Sequence, residues 1–198
     1  MSSGDPETRR RILKETRRLM ENRRGKDVRL EDIARAAEVS RQAVYLHFGS
    51  RAGLLTATAR YLDETLDHPG RTVKIFGAQD GVEALDALIE FWAGYIPDIY
   101  GLAKALFSAR ESDKAAASAW DDRMAAFYDK CQHIVSLLAR DDLLAPEWSI
   151  KTATDYVWAV LAILTWEDLT MKRGWTQDEY VRYMQMTLKR ALVKADDL

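Results

Sequence analysis

Arg41, Gln42, Tyr45, His47 and Arg51 crowd a short stretch of this chain with outward-reaching polar groups. An arginine fork at position 41 suits guanine O6 and N7 taken together, and Gln42 suits adenine or the backbone. Ala43 is small enough to permit close approach, and its methyl matches a thymine methyl. Arg51 and Arg29 each stand near a helix start, where a phosphate is already favoured. Covalent catalysis and metal chemistry find little support by comparison. Cys131 and His133 are two apart on a helical stretch and so face different ways. The three histidines are too scattered for metal-ligand spacing. Glu167-Asp168 and Asp141-Asp142 read as helix-end or surface charges rather than an acid–base pair, and no glycine loop of the phosphate-cradling kind occurs. Neither an enzyme nor a bound cofactor or metal is expected.

Such side chains need a rigid carrier, and the surrounding residues provide one. In LEDIARAAEVSRQAVYLHFGSRAGLL, from Leu30 to Leu55, Ile33, Ala34 and Ala37 form the buried face of a short helix. Val39 fills the corner of a tight turn. Ser40 caps a second helix, from Arg41 to about His47, whose Val44 and Phe48 face inward. Ser50 caps the next helix. Two short helices, a tight turn and a polar second helix make a helix-turn-helix, which sets one helix in the DNA major groove.

This segment resembles the TetR family, the tetracycline-repressor-like bacterial regulators. The likeness is carried by Asp32–Ala34, by Val39-Ser40, and by Tyr45-x-His47-Phe48 followed by Ser50-Arg51, within residues 8–60. The RGW turn at Arg173–Trp175 adds to it. The resemblance implies an all-α protein with a three-helix DNA-binding head and a larger helical body. It also implies that Tyr45 and His47 contact phosphates, that the last two long helices dimerise, and that the body encloses a small-molecule pocket. Arg29-Leu30 stands where the family often has a capping threonine. Glu38 stands where it often has glycine, at a position suited to positive φ.

Charge divides in the same sense. Residues 1–60 hold 14 basic against 8 acidic side chains, and residues 61–198 hold 15 against 23, for a net −2. A basic end on an acidic body places the phosphate contacts in the former. Arg9, Arg10, Arg11, Arg17 and Arg18 are a solvated run available for extra backbone contacts. Cys131 is the single cysteine, which excludes an internal disulfide and fits a cytoplasmic protein. No signal-peptide core is evident. The longest apolar run, Tyr156–Trp166, falls short of the roughly 20 residues that a bilayer requires, so no membrane partner is expected.

Along the chain, helices are expected at 7–22, 51–66, 81–96 (stopped by Pro97), 98–110, 114–139, 147–172 with Pro146 at its first turn, and 176–193 behind a Thr176/Glu179 capping box. Residues 68–81 read as a loop, with Thr72–Phe76 the one candidate strand. The division expected is a helix-turn-helix domain at 1–50 and a ligand-binding and dimerisation domain at 51–198.

Specificity requires two heads, hence a homodimer on a near-palindromic double-stranded operator with half-sites about 34–36 Å apart. Val157, Leu161, Leu164, Val181, Met184 and Leu188 are the expected interface. All six tryptophans lie after residue 90, and Tyr95, Trp120, Met124 and Trp158 are the expected lining of a pocket for a hydrophobic or aromatic effector. The function expected is a regulator, by the family's habit a repressor, released by that effector. The alternatives are a DNA-binding dimer that senses no small molecule, or an activator.

Overall fold

The computed structural model describes residues 5–195, and there the only β pairing is an isolated bridge between Leu144 and Val193. The helices are α1 (Pro6–Asn22), α2 (Leu30–Ala36), α3 (Arg41–Phe48), α4 (Arg51–Thr65), α5 (His68–Arg71), α6 (Val73–Phe76), α7 (Gly81–Ala109) and α8 (Lys114–Arg140). They continue with α9 (Ile150–Val160), α10 (Ile163–Trp166), a π-helical stretch (Glu167–Lys172) and α11 (Gln177–Leu192). The all-α class read from the sequence is the one observed.

The chain packs as two units. The first runs to Asp67 and takes in Ile99–Met124; the second is His68–Asp98 with the chain from Ala125 onward. In the first, α1 buries the stripe Ile12, Leu13, Thr16, Leu19 and Met20. The Thr16 hydroxyl donates to the Ile12 carbonyl at 2.8 Å, so its burial costs no unpaired donor. Ile33 and Ala34, Val44, and Leu54, Leu55, Ala59 and Leu62 close on that stripe from α2, α3 and α4. Leu102, Ala105 and Leu106 of α7 and Ala116 and Ala119 of α8 complete the core. By packing, then, α4 and residues 99–124 go with α1, α2 and α3, whereas the division expected from the sequence fell at residue 50.

Two backbone positions fix this unit. Gly25 has φ +75°, and a Cβ there would lie 2.3 Å from the Ala105 carbonyl oxygen. Glu38 has φ +53°, the left-handed conformation its place in the turn demands.

In the second unit the Trp92 ring stacks on Phe127 at 4.0 Å, and its indole N–H donates to the Leu161 carbonyl at 2.6 Å. The inner stripe of α11 is Tyr180, Met184, Leu188 and Leu192, all buried. Lys189 pairs with Asp86 at 2.8 Å, and the Trp148 indole donates to the Ala191 carbonyl at 2.6 Å.

Four local expectations change. Residues 68–76 are not loop and strand but α5 and α6, with Thr72 donating to the His68 and Pro69 carbonyls and Ile75 buried. Pro97 does not stop a helix: α7 runs through it. The proline is itself exposed, and buried Trp92, Ile96, Leu102 and Leu106 flank it. Burying such side chains, at about 1.5–3 kcal/mol each, outweighs the roughly 3 kcal/mol of an internal proline. Pro146 lies in a turn, because Ser149 and Thr152 form the capping box that starts α9. The long helix expected at 147–172 breaks after α9. Its Leu161 carbonyl goes to the Trp92 indole, and the Thr165 N–H goes to the Ala162 carbonyl instead.

Replacing Gly25 by alanine combines a left-handed backbone with a close approach to Ala105, so it is expected to lower stability by at least about 1 kcal/mol. A urea unfolding midpoint equal to that of the wild type would contradict this packing.

Candidate nucleic-acid interface

Helix α3 has only eight residues, and its neighbours hold it. The Ser40 hydroxyl accepts the Ala43 N–H at 3.1 Å. Val44 is the one fully buried side chain of α3, and Gly49, at φ +72°, ends the helix. The Ser50 hydroxyl accepts the Gly53 N–H at 3.0 Å and so starts α4. On the preceding helix, Arg29 stands at the cap of α2 without a side-chain hydrogen bond. Asp32 compensates, accepting the Arg29 N–H at 3.4 Å and the Arg23 guanidinium at 2.8 Å. The Arg23 hydrogen bond, joined by that amide, holds the Asp32 carboxyl below the usual range.

The outward residues of α3 fall into two rows. Arg41 and Tyr45 form one: the guanidinium donates to the Tyr45 hydroxyl at 3.4 Å and pairs with Glu31 of α2 at 2.8 Å. All three side chains are exposed. Gln42, Ala43 and Leu46 form the other. Leu46 is 81% exposed, an outlying value for a large apolar side chain on a charged surface. His47 is half-buried, its ring 5.9 Å from that of Phe48. Arg29, Arg41, Gln42, Ala43, Tyr45 and His47 thus belong to one compact unit, with Arg29 and Arg41 lining the same open groove of about 660 Å³.

Arg51 departs from the sequence-based expectation. Its guanidinium donates twice to Asp113, at 3.0 and 2.8 Å, and about a fifth of its side chain is exposed. It is therefore a pin between α4 and the start of α8, not a free phosphate contact. Asp113 also accepts the Ala115 and Ala116 N–H groups, so one carboxylate caps α8 and anchors α4. Burial pushes its carboxyl up, but Arg51 and those amides more than offset this and leave it below the ordinary value. Arg60 with Asp122, at 2.6 Å, and Asp63 with Arg123 extend the same α4–α8 seam. The arginine run on α1 is likewise partly committed. Arg11 donates to the Ala37 carbonyl at 2.8 Å, Arg17 pairs with Glu21, Arg18 with Glu15, and Arg9 lies over the Phe48 ring.

The expected effector lining is not brought together in one unit. Trp120 and Met124 belong to the first, where the Trp120 ring meets Phe107 edge-on at 5.1 Å. Tyr95 and Trp158 belong to the second, where Tyr95 stacks on Phe91 at 5.1 Å. The expected dimer face is also revised. Val157, Leu161, Met184 and Leu188 are buried within the chain's own core, and Leu164 and Val181 are half-buried. Every fourth residue of α11 marks its inner stripe, so the open large apolar side chains of α9 and α11 are others: Ile150, Tyr183 and Met186.

Burial pushes the Cys131 thiol up to about 12, far from a thiolate at neutral pH, and His133 is exposed. Among the described residues no three His, Cys, Asp or Glu side chains group as metal ligands, and no helix is long and apolar enough to cross a membrane.

Sequence reading missed Glu31, Leu46 and Asp113. Glu31 and Asp113 are ordinary surface-type acids in sequence, and only the fold sets them against Arg41 and Arg51. Leu46 carried a legible signal, an apolar residue on the polar side of a short helix.

The model of the bacterial regulatory proteins of the tetR family matches residues 12–58. No curated protein sequence matches the chain. Among solved structures, NalD of Pseudomonas aeruginosa, the secondary repressor of the MexAB-OprM multidrug efflux pump, superposes with a TM-score of 0.72 at 24% identity, covering 96% of this chain and 97% of NalD. The fatty acid degradation regulator FadR of Bacillus halodurans gives 0.71 at 15% identity, covering 90% and 96%. The transcriptional regulator FadR of Bacillus subtilis, solved with stearoyl-CoA, gives 0.72 at 12%, covering 91% and 97%. These likenesses establish a shared fold over nearly the whole chain.

The Arg51–Asp113 pair yields a pH-dependent test. The Asp113 carboxyl sits below its ordinary value of 3.8 in the folded chain. Its stabilisation is therefore present above that value and is lost as pH falls through the lower folded-state value. Asp113→Asn leaves a half-buried guanidinium without its counter-charge and is expected to cost about 2 kcal/mol near pH 7. The difference from wild type should shrink below about pH 3. Unfolding free energies across that range check this, and a pH-independent difference would contradict the pairing.

Proposed function

Because residues 12–58 match the model of the tetR family of bacterial regulatory proteins, we propose that the chain is a member of that family and a sequence-specific DNA-binding regulator. In this reading it acts in the cytoplasm as a repressor released by a small hydrophobic or aromatic effector. Residues 1–50 serve as the DNA-binding head, and residues 51–198 as the ligand-binding and dimerisation body. The observation that carries the reading is α3, capped by Ser40 and seated through Val44, with Arg41, Gln42, Tyr45 and Leu46 all exposed on its outer side. Arg41 reads a guanine through its fork, Gln42 pairs with an adenine or backbone, and Tyr45, His47 and Arg29 hold phosphates. DNA must displace Glu31 from Arg41, since the carboxylate occupies the fork in the free protein.

Two copies are required to read a palindrome. Their contact is assigned to the outer side of α11, at Tyr183 and Met186, with Ile150 of α9, all exposed and apolar. Of the proteins that share the fold, NalD is described as a repressor, the Bacillus halodurans FadR as a fatty acid degradation regulator, and the Bacillus subtilis FadR as a transcriptional regulator in complex with stearoyl-CoA. An apolar effector in the body agrees with the ring-rich second unit. There the Tyr180 hydroxyl and the Trp158 indole nitrogen are buried without hydrogen-bond partners, and they suit the few polar atoms of such a ligand.

Selection of bound duplexes from a randomised pool tests the reading; enrichment of a near-palindrome is the expected result, and no enrichment over input would refute it. On the selected duplex, Arg41→Ala should lose discrimination chiefly at one base pair per half-site, by roughly 1–3 kcal/mol. Glu31→Gln should bind several-fold more tightly at low salt, because a competing carboxylate is removed. Weaker binding of that variant would show that Glu31 positions the fork productively. Tyr183→Glu with Met186→Glu should sediment as a monomer while the wild type sediments as a dimer; two dimers would move the interface elsewhere.

A further inference from the structure

Leu46 offers a feature that the arginine and ring contacts do not account for. Helical side chains advance by roughly 100° per residue, so Leu46 projects almost opposite the midpoint of Val44 and Phe48, which face the core. It is the outermost side chain of α3, with Gln42 one turn before it and Ala43 beside it. Its 81% exposure is the largest of any exposed large apolar side chain in the described chain, ahead of Val73 and Phe76 on α6. Leucine gains nothing for stability in such a place, since its area stays in water. The ground around it is polar and cationic: Arg41 and Gln42 on the same helix are exposed, Arg29 caps the helix before, and residues 1–60 are net basic.

We infer that Leu46 is a specificity-determining residue that packs against the 5-methyl group of a thymine in the major groove, in each half-site. The inference rests on the DNA-binding reading and goes beyond it by naming a base and the group on it. The physical case is complementarity. Thymine alone among the four bases shows a methyl in that groove, and an apolar side chain gains only where it meets apolar surface. Cytosine at the same place would offer an amino donor that leucine leaves unpaired. The row Gln42–Ala43–Leu46 then predicts a local pattern, in which Leu46 demands thymine beside the bases met by Gln42 and Ala43. Leu46 stands outside the core that holds α3 in place, so removing it leaves the carrier intact.

The experiment uses the full-length protein and lets selection supply the operator. Duplexes are selected from a randomised pool with wild type and with Leu46→Ala. On the wild-type winner each thymine is then replaced singly by deoxyuridine, which removes only the methyl. Wild type is expected to lose affinity roughly four-fold at one thymine per half-site, the value of one buried methyl. Leu46→Ala should bind the thymine duplex about as weakly as wild type binds the uracil duplex, and should not distinguish the two. Its own selected site should be degenerate at that position. The inference is overturned if Leu46→Ala still discriminates thymine from uracil as wild type does. It is also overturned if no single replacement affects wild type. Enrichment of no sequence by wild type would instead overturn the DNA-binding reading itself, a result distinct from either of these.

Discussion

An eight-residue helix does not stand by itself in water, because nucleation costs more than so few hydrogen bonds return. Everything that α3 does depends on its being held from outside, and Val44 is the point at which the core holds it. Ser40 and Gly49 fix its ends, and the left-handed backbone at Glu38 turns the chain so that Val44 joins Ile33 and Leu54 in one shared core. Once the inner side is fixed, the outer side is determined by helical geometry alone. Gln42 and Leu46 reach outward because Val44 and Phe48 reach inward, while Arg41, in the first turn, and Tyr45, at the side, are exposed beside them.

The charges of the first unit sort into those that build it and those left open. Arg51, Arg60 and Arg123 are committed to Asp113, Asp122 and Asp63 along the α4–α8 seam. The Arg51–Asp113 and Arg123–Asp63 pairs are largely shielded from solvent, Arg60 is open but its partner Asp122 is shielded, and Asp113 also caps α8. Arg41, by contrast, meets Glu31 where both are more than half or about half exposed. A pair so hydrated contributes little to stability. It is cheap to exchange for a phosphate or a base edge, which fits the reading role proposed for Arg41. Net basicity of residues 1–60 thus overstates the positive charge available to a duplex.

The head was legible because its signals are local. Ser40 and Ser50 each cap the helix they precede, as Thr176 does in the second unit, and the helix expected at 7–22 is α1. The places where reading failed are those decided by distant partners. Arg51 looked like a free cation, since nothing nearby in sequence announces Asp113. Pro97 looked like a stop, yet the apolar residues flanking it keep α7 continuous. The 147–172 stretch looked continuous, yet the Trp92 indole takes the Leu161 carbonyl at the break. Met184 and Leu188 were expected on one apolar stripe of α11 and lie on it, with Tyr180 rather than Val181 at its start, but periodicity does not say whether a stripe meets the chain's own core or another copy. Burial of Met184 and Leu188 decides for the core.

Under the proposed function, the outer side of α3 is what duplex DNA covers. Hydroxyl-radical footprinting of the protein, with and without a selected duplex, reads it side chain by side chain. Tyr45, Leu46 and His47 should lose most of their oxidation on adding DNA, while Met171 and Phe76, exposed and outside the first unit, keep theirs. Unchanged oxidation across α3, with protection appearing elsewhere on the chain, would contradict it.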